Sequence, residues 1–431
     1  MTAARLLRRT GFGATGPQID ALVKEDWSSY LDGALGSDPD ADSGARATPM
    51  PMLPLHVAPG LMASQADIDA YGRLLYEEMG QLTSWWLRRM IAVRQPIHEK
   101  LTLLWHDHFA TSADKVNMGA WMAAQNQKLR TLKLGDFGDL AYAMLVDAAI
   151  LVWLDGESNT ATAPNENLSR EFMELFTLGH GNGYSEADVR EGARALSGWQ
   201  IDRSNGSPIQ VDDLHDHASK TILGHTGTFD AAGFCDVVLA QPQSATFIAT
   251  KLWRRLASDS EPPAETLDRL VAAYGPNRDL KALTKAVLMD PIFTQRASTL
   301  VTTPVEWLIG VVRSLGVHLE GDTLLRVAAV TLASMGQVPF YPPDVGGWPR
   351  GRAWLSTGSS SLRVWAASKL ATISNLSTVE DAAADDRIDA VGYLIGIGAW
   401  SDRSVAALKP LTRDPQGLVA AAVNTPEYLT S

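Results

Sequence analysis

The stretch ENLSREFMELFTLG, residues 166–179, constrains the fold class more than any other part of the chain. Leu168, Phe172, Leu175 and Phe176 fall on one helical stripe, and Gly179 supplies a stop. The following string, YSEADVREGARALSGW, opens with Ser185 and Asp188 three residues apart, the spacing of a capping box. Val189, Ala193 and Leu196 form its apolar face, and Gly198 ends it. Two amphipathic helices in succession need a helical partner surface to bury their stripes.

The same periodicity recurs along the chain. It predicts helices over residues 17–33, 66–93, 115–133 and 136–149, with IHEKLTLLWHDHF restarting after Pro96. Residues 37–60 are a Pro-rich connector. In TTPVEW, Thr303, Pro304 and Glu306 stand as N-cap, N1 and N3 of a further helix. One interval breaks the pattern. Residues 199–230 carry Asn205-Gly206, a hairpin signal, and are expected to form strands. Residues 336–361 are a long loop rich in Gly and Pro, with Phe340, Tyr341 and Trp348 to anchor it. The expected fold is mainly α: a multi-helical compact body with a small β-hairpin excursion near residues 199–230. It is expected as a single large helical domain over 1–431, or as two lobes, 1–230 and 231–431, with most motifs in the first.

Composition excludes several function classes. A net charge of −12 opposes binding to nucleic acid or to anionic membranes. Cys235 is the only cysteine, so neither a disulfide within the chain nor a thiolate zinc cluster can form. No apolar run is long enough for a membrane span. MTAARLLRRTGFGAT carries charge without the apolar stretch of a signal peptide, so the chain reads as cytoplasmic. The 13 tryptophans suit a large core or a sugar-binding platform, and the core is the simpler reading. No G-x-S-x-G elbow or P-loop is present, and no strand precedes GFGATG, so neither a serine hydrolase nor a nucleotide enzyme is supported.

The polar candidates fall into four groups. LLWHDHFATS sets His106, Asp107 and His108 against an apolar run, and LHDHASK repeats the triplet at His215, Asp216 and His217. On a continuous helix, residues two apart diverge by about 200°, so His106 and His108 bind one metal only if the helix ends there. His215, Asp216 and Lys220 lie in a loop or strand region, where a carboxylate fixes an imidazole and a lysine holds an anion. Glu166, Arg170 and Glu174 are spaced as a salt-bridge ladder. Glu171 borders the apolar stripe, where partial burial would raise its pKa as acid or base catalysis requires. Asp344, in PPDVGGWP, is placed for a turn. If the 336–361 loop packs on the first lobe, Asp344 approaches the histidines.

The strings RLLRRTGFGAT, EKLTLLWHDHF, NENLSREFMELFTLGHGNGYSEADVREGARALSGW, HDHASKTILG, KLWRRL, TPVEW and PPDVGGW occur in order from residue 5 to about 365. Together they resemble the bacterial domain-of-unknown-function 1800 family. The family's second motif is similar to His-Asp followed by Lys, and matches His215, Asp216 and Lys220 here. The resemblance implies no established activity. It implies exported relatives, often encoded beside sulfatase-like proteins.

Two functions from different classes follow. The first is a hydrolase acting on a polar or carbohydrate-like substrate. In its metal-dependent form one divalent ion sits on His106, His108, His215 and Asp216, while Glu171 or Glu174 moves protons with Lys220 and Asp344 nearby. In its metal-free form two carboxylates suffice. The second is a non-catalytic helical partner or carrier of a neighbouring sulfatase-like hydrolase, its polar residues forming a buried network. An enzyme needs these groups on an open pocket, whereas a structural network is sealed.

Overall fold

A computed structural model describes residues 2–294, 299–319 and 321–430. Those residues form 24 α-helices and two small antiparallel sheets. The fold is therefore mainly α with a small β excursion at the expected place. Trp199–Ile201 pairs with Pro208–Gln210 across the turn that contains Gly206, and Lys220–Ile222 pairs with His225–Gly227. Gly206 adopts φ 74°, the left-handed conformation that a tight hairpin connection needs.

Helix boundaries depart from periodicity where an acidic side chain captures backbone N–H groups. Residues 17–33 are not one helix but two, Gly16–Leu22 and Trp27–Gly36. Asp26 separates them by accepting the Ser29 N–H at 2.9 Å. Asp147 likewise ends one helix at Leu145 and caps the next, Ala148–Trp153. The 115–133 stretch is interrupted at Asn117, which sits at φ 45° between Ala113–Val116 and Gly119–Leu132. An unforeseen helix, Thr2–Thr10, opens the fold. The long Gln65–Ala92 helix and the Ile97–His108 helix stand where they were expected.

One apolar cluster runs from Ala3 to Tyr428, with Trp86, Trp105, Trp253 and Trp307 fully enclosed. Most of the tryptophans thus serve packing. Charged groups are buried with them. Glu99 accepts from Arg89 Nε at 2.7 Å, Trp86 Nε1 at 2.8 Å and Arg130 at 2.9 Å. The two guanidinium groups outweigh burial and hold its carboxyl down at about 2. Lys100 donates to the carbonyls of Arg8 and Gly11, each at 2.9 Å, and pairs with Glu306 at 3.0 Å. It thereby fastens the end of the first helix to the Pro304–Ser314 helix. Gly310 permits that approach, since a Cβ there would lie 2.1 Å from the Phe12 carbonyl oxygen. Three of the sequence strings, RLLRRTGFG, EKLTLL and TPVEW, meet at this junction. Among the described residues, no helix is long and apolar enough to cross a membrane.

Candidate functional site

The Ile97–His108 helix ends at the last histidine of the triplet, and Phe109 leaves helical geometry with ψ 55°. The two imidazoles still face different partners. His106 lies among the rings of Trp86, Phe340 and Trp348 and accepts the Phe340 N–H through Nε2 at 3.0 Å. His108 lies among Trp105, Phe109 and Phe176 and donates through Nε2 to the Phe176 carbonyl at 2.9 Å. Burial makes both neutral. It pushes His106 down to about 3 and His108 well below the ordinary imidazole value. Asp107 accepts the Trp348 N–H at 2.7 Å and is held on its other oxygen by Arg255.

His106 and Asp107 therefore fasten the 336–361 loop to the helix. Phe340 adopts φ 73° between two such ties, its N–H on His106 and its carbonyl receiving the Ala113 N–H at 2.8 Å. Asp344 is exposed, and its hydrogen bond goes to the Gly346 N–H at 2.8 Å, a turn. The loop approaches the first triplet as expected, but its acidic side chain is used locally. Gly347 sits at φ 86°, and a Cβ there would lie 2.5 Å from the Asp107 carbonyl oxygen. Gly347→Ala is therefore expected to cost about 2 to 3 kcal/mol in urea denaturation. A cost under about 0.5 kcal/mol would mean that the loop does not seat on Asp107.

The second motif is laced to the Glu186–Ala195 helix. His215 donates through Nδ1 to the Ser197 carbonyl at 2.9 Å, and Ser197 Oγ accepts the Asp216 N–H at 2.8 Å. Asp216 binds Arg194 at 2.7 Å, which lowers the pKa of its carboxyl. Lys220 is 1 % exposed and donates to the carbonyls of Asp216 and Ala218. The helix answers with Glu191 on the Thr221 N–H at 3.1 Å and Asp188 on the Leu223 N–H at 2.6 Å. Asp188 closes the capping box with Ser185 at the same time. Among the described residues, His215 and Asp216 share no hydrogen-bond partner with His106 or His108. Among the described residues, no three His, Cys, Asp or Glu side chains group so as to hold a metal ion.

Glu171 and Glu174 lie on a third feature. The Asn167–Glu171 helix widens into a π-turn, Phe172–Thr177, with the Leu178 N–H reaching the Met173 carbonyl at 2.9 Å. One extra residue per turn carries Glu174 off the row of Arg170. The expected Glu166–Arg170 rung is present at 3.0 Å, while the Arg170–Glu174 rung gives way to an Arg170 bond with Glu186 at 2.6 Å. Glu174 instead binds His180 Nδ1 at 2.5 Å and accepts from the Tyr184 hydroxyl at 3.1 Å. Glu171 is half-buried and has no hydrogen-bond partner among the described residues. Burial, then Glu174, raises its pKa. Turns of this kind are frequent at functional sites. His180 and Tyr184 were missed at the sequence level, although GHGNGY follows the helix directly. Lys251 and Arg255, in KLWRRL, were missed too.

Space around the first triplet is scarce. A cavity of about 30 Å³ beside Asp107, bordered by Lys100, Arg255, Thr303, Glu306 and Gln337, has room for about one or two waters. A cleft of about 870 Å³ lies elsewhere, between residues 13–18, 88–94 and 312–319. None of the eight candidate side chains lines it.

No curated protein and no solved structure matches the chain. A family model described as a protein of unknown function, DUF1800, matches residues 5–430, and the chain belongs to that family.

Proposed function

We propose that the protein is an acid–base enzyme of hydrolase type, acting on a polar or carbohydrate-like substrate at the π-turn. One observation carries this reading. Glu171 is a half-buried carboxyl with a raised pKa and no partner, beside a second carboxylate oriented by His180 and Tyr184. Glu171 protonates the leaving-group oxygen as the C–O bond breaks. Glu174 takes a proton from the water whose oxygen bonds to the carbon. The steps proposed here use only these two carboxyl groups and water.

Glu171→Gln keeps the shape and removes the proton. It is expected to lower turnover of a responsive glycoside or ester by at least about 100-fold while leaving the thermal midpoint nearly unchanged. Undiminished turnover in that variant would sink the assignment.

The other reading, a non-catalytic partner of a sulfatase-like protein, draws on a different observation. His106, Asp107, Asp216 and Lys220 are all committed to bonds within the fold. Sedimentation of the chain with a sulfatase-like protein of the kind encoded beside relatives of the family separates the two. A stable complex, with no turnover of any substrate tried, favours the partner.

A further inference from the structure

The cleft of about 870 Å³ joins three parts of the chain: the GFGATG string, the end of the Gln65–Ala92 helix and the end of the Pro304–Ser314 helix. Ala14, Ile91, Ala92, Val312, Val317 and Leu319 give it an apolar lining. Its volume is that of a site for a small organic molecule, about 300–1,000 Å³. Among the described residues that line it there is no Asp or Glu. Arg88, Arg94 and Arg313 do line it. Arg88 is already engaged, and Arg94 is exposed.

Arg313 is locked in place by the fold. Its Nη1 donates to the carbonyls of Met90, Ile91 and Val93 at 3.1, 2.7 and 2.7 Å. These are acceptors that the end of the Gln65–Ala92 helix leaves unmatched. That bracing uses one nitrogen of three. Nε and Nη2, which share the outer edge of the guanidinium, have no hydrogen-bond partner among the described residues, and neither is sealed from solvent. Burial lowers the pKa of Arg313, and Asp42 is the charge that offsets it. The Asp42 carboxylate is itself taken up by the N–H groups of Gly44, Arg94 and Gln95 at 2.7, 2.8 and 2.8 Å, and it does not line the cleft.

We propose that this cleft binds an organic monocarboxylate, its two oxygens on Nε and Nη2 of Arg313 and its apolar body against Ile91, Ala92, Val317 and Leu319. The two N–H groups of a guanidinium edge match the two oxygens of a carboxylate, and one fixed guanidinium calls for one negative charge. The apolar lining calls for a hydrocarbon body. Because three carbonyls already hold Arg313, little side-chain freedom is lost when the ligand arrives. The inference uses none of the residues of the acid–base reading and stands or falls without it.

Isothermal titration of the full chain with decanoate, with naphthalene-2-acetate and with the neutral amide of the latter tests it. One-to-one binding is expected for at least one of the two acids, and binding of the amide at least about 10-fold weaker than that of its acid. A stronger response to decanoate identifies a flexible chain as the body, and a stronger response to naphthalene-2-acetate identifies a flat ring. Arg313→Lys keeps the charge and loses the paired edge, and is expected to weaken the bound acid at least about 10-fold. Circular dichroism checks its fold. Ala92→Glu, at an exposed position, sets a carboxylate in the cleft without touching the core and should weaken the acid by a similar factor. It decides the question if Arg313→Lys does not fold. Absence of one-to-one binding with both acids, equal binding of the amide, or binding that the folded variants leave unchanged would overturn the site.

Discussion

Lowering the pH from 7.5 to 5 is expected to remove several kcal/mol of stability. The cause is three buried imidazoles. His106 is pushed down to about 3 and His98 to about 4, chiefly by burial, and His108 lies well below its ordinary value. Unfolded histidines take up protons below about 6.5, while the native ones do not until far lower pH. The unfolded state therefore binds more protons through this window, and stability falls as pH falls. At pH 5 the cost is roughly 2 kcal/mol for each histidine. Three of them approach the whole stability of an ordinary domain, roughly 5–15 kcal/mol.

Glu99 extends the trend at lower pH. Its carboxyl is held at about 2, so its contribution is complete above its unfolded value of 4.5 and is lost as pH falls towards 2. Urea denaturation at a series of pH values reads both effects. His106→Gln cannot take up the proton, so its stability should fall less steeply between pH 6.5 and 5 whatever its absolute value. A wild-type loss below about 1 kcal/mol at pH 5 would mean that these histidines are not buried and neutral.

The second large effect is expected for Asp107→Ala, a loss of about 3–5 kcal/mol in urea denaturation. The substitution strands Arg255 beside the cavity without its carboxylate and leaves the Trp348 N–H without an acceptor. Removing one partner of a buried ion pair costs far more than the pair contributes, because the remaining charge stays desolvated. Asp107→Asn restores an acceptor for Trp348 but not the charge, and should recover only part of the loss. The same variant gives a functional readout. A bracing role predicts that Asp107→Asn, assayed well below its melting point, keeps its turnover within a few-fold. A catalytic role predicts loss of turnover in a protein that is still folded.

Much of the fold was legible because it is local. Ser185 with Asp188, and Thr303 with Glu306, announced their helices three residues at a time, and both capping boxes are present. Asn205-Gly206 announced the hairpin. The π-turn was not legible. A single additional backbone residue leaves the apolar stripe of Leu168, Phe172 and Phe176 intact while moving Glu174 from Arg170 to His180. For the candidate site, composition picked out polar residues in an apolar setting and could not say what faced them. Asp26 and Asp147 illustrate the same limit in reverse, since each ended a helix that periodicity alone would have continued.

By itself the sequence determined the helical class, the position of the β excursion, the caps and the family. These depend on periods and pairings within about one or two turns. Tertiary structure alone decided what the motif residues do. The Phe340 N–H that meets His106 is 234 residues away, and the Trp348 N–H that meets Asp107 is 241 residues away. No local period encodes such a contact, because it forms only when the intervening helices have closed around one core. That closure turned the first His-Asp-His triplet into a brace and the second into a lacing. It also gathered Arg254, Arg255 and Arg350 with Asp259 and Glu306 around a cavity.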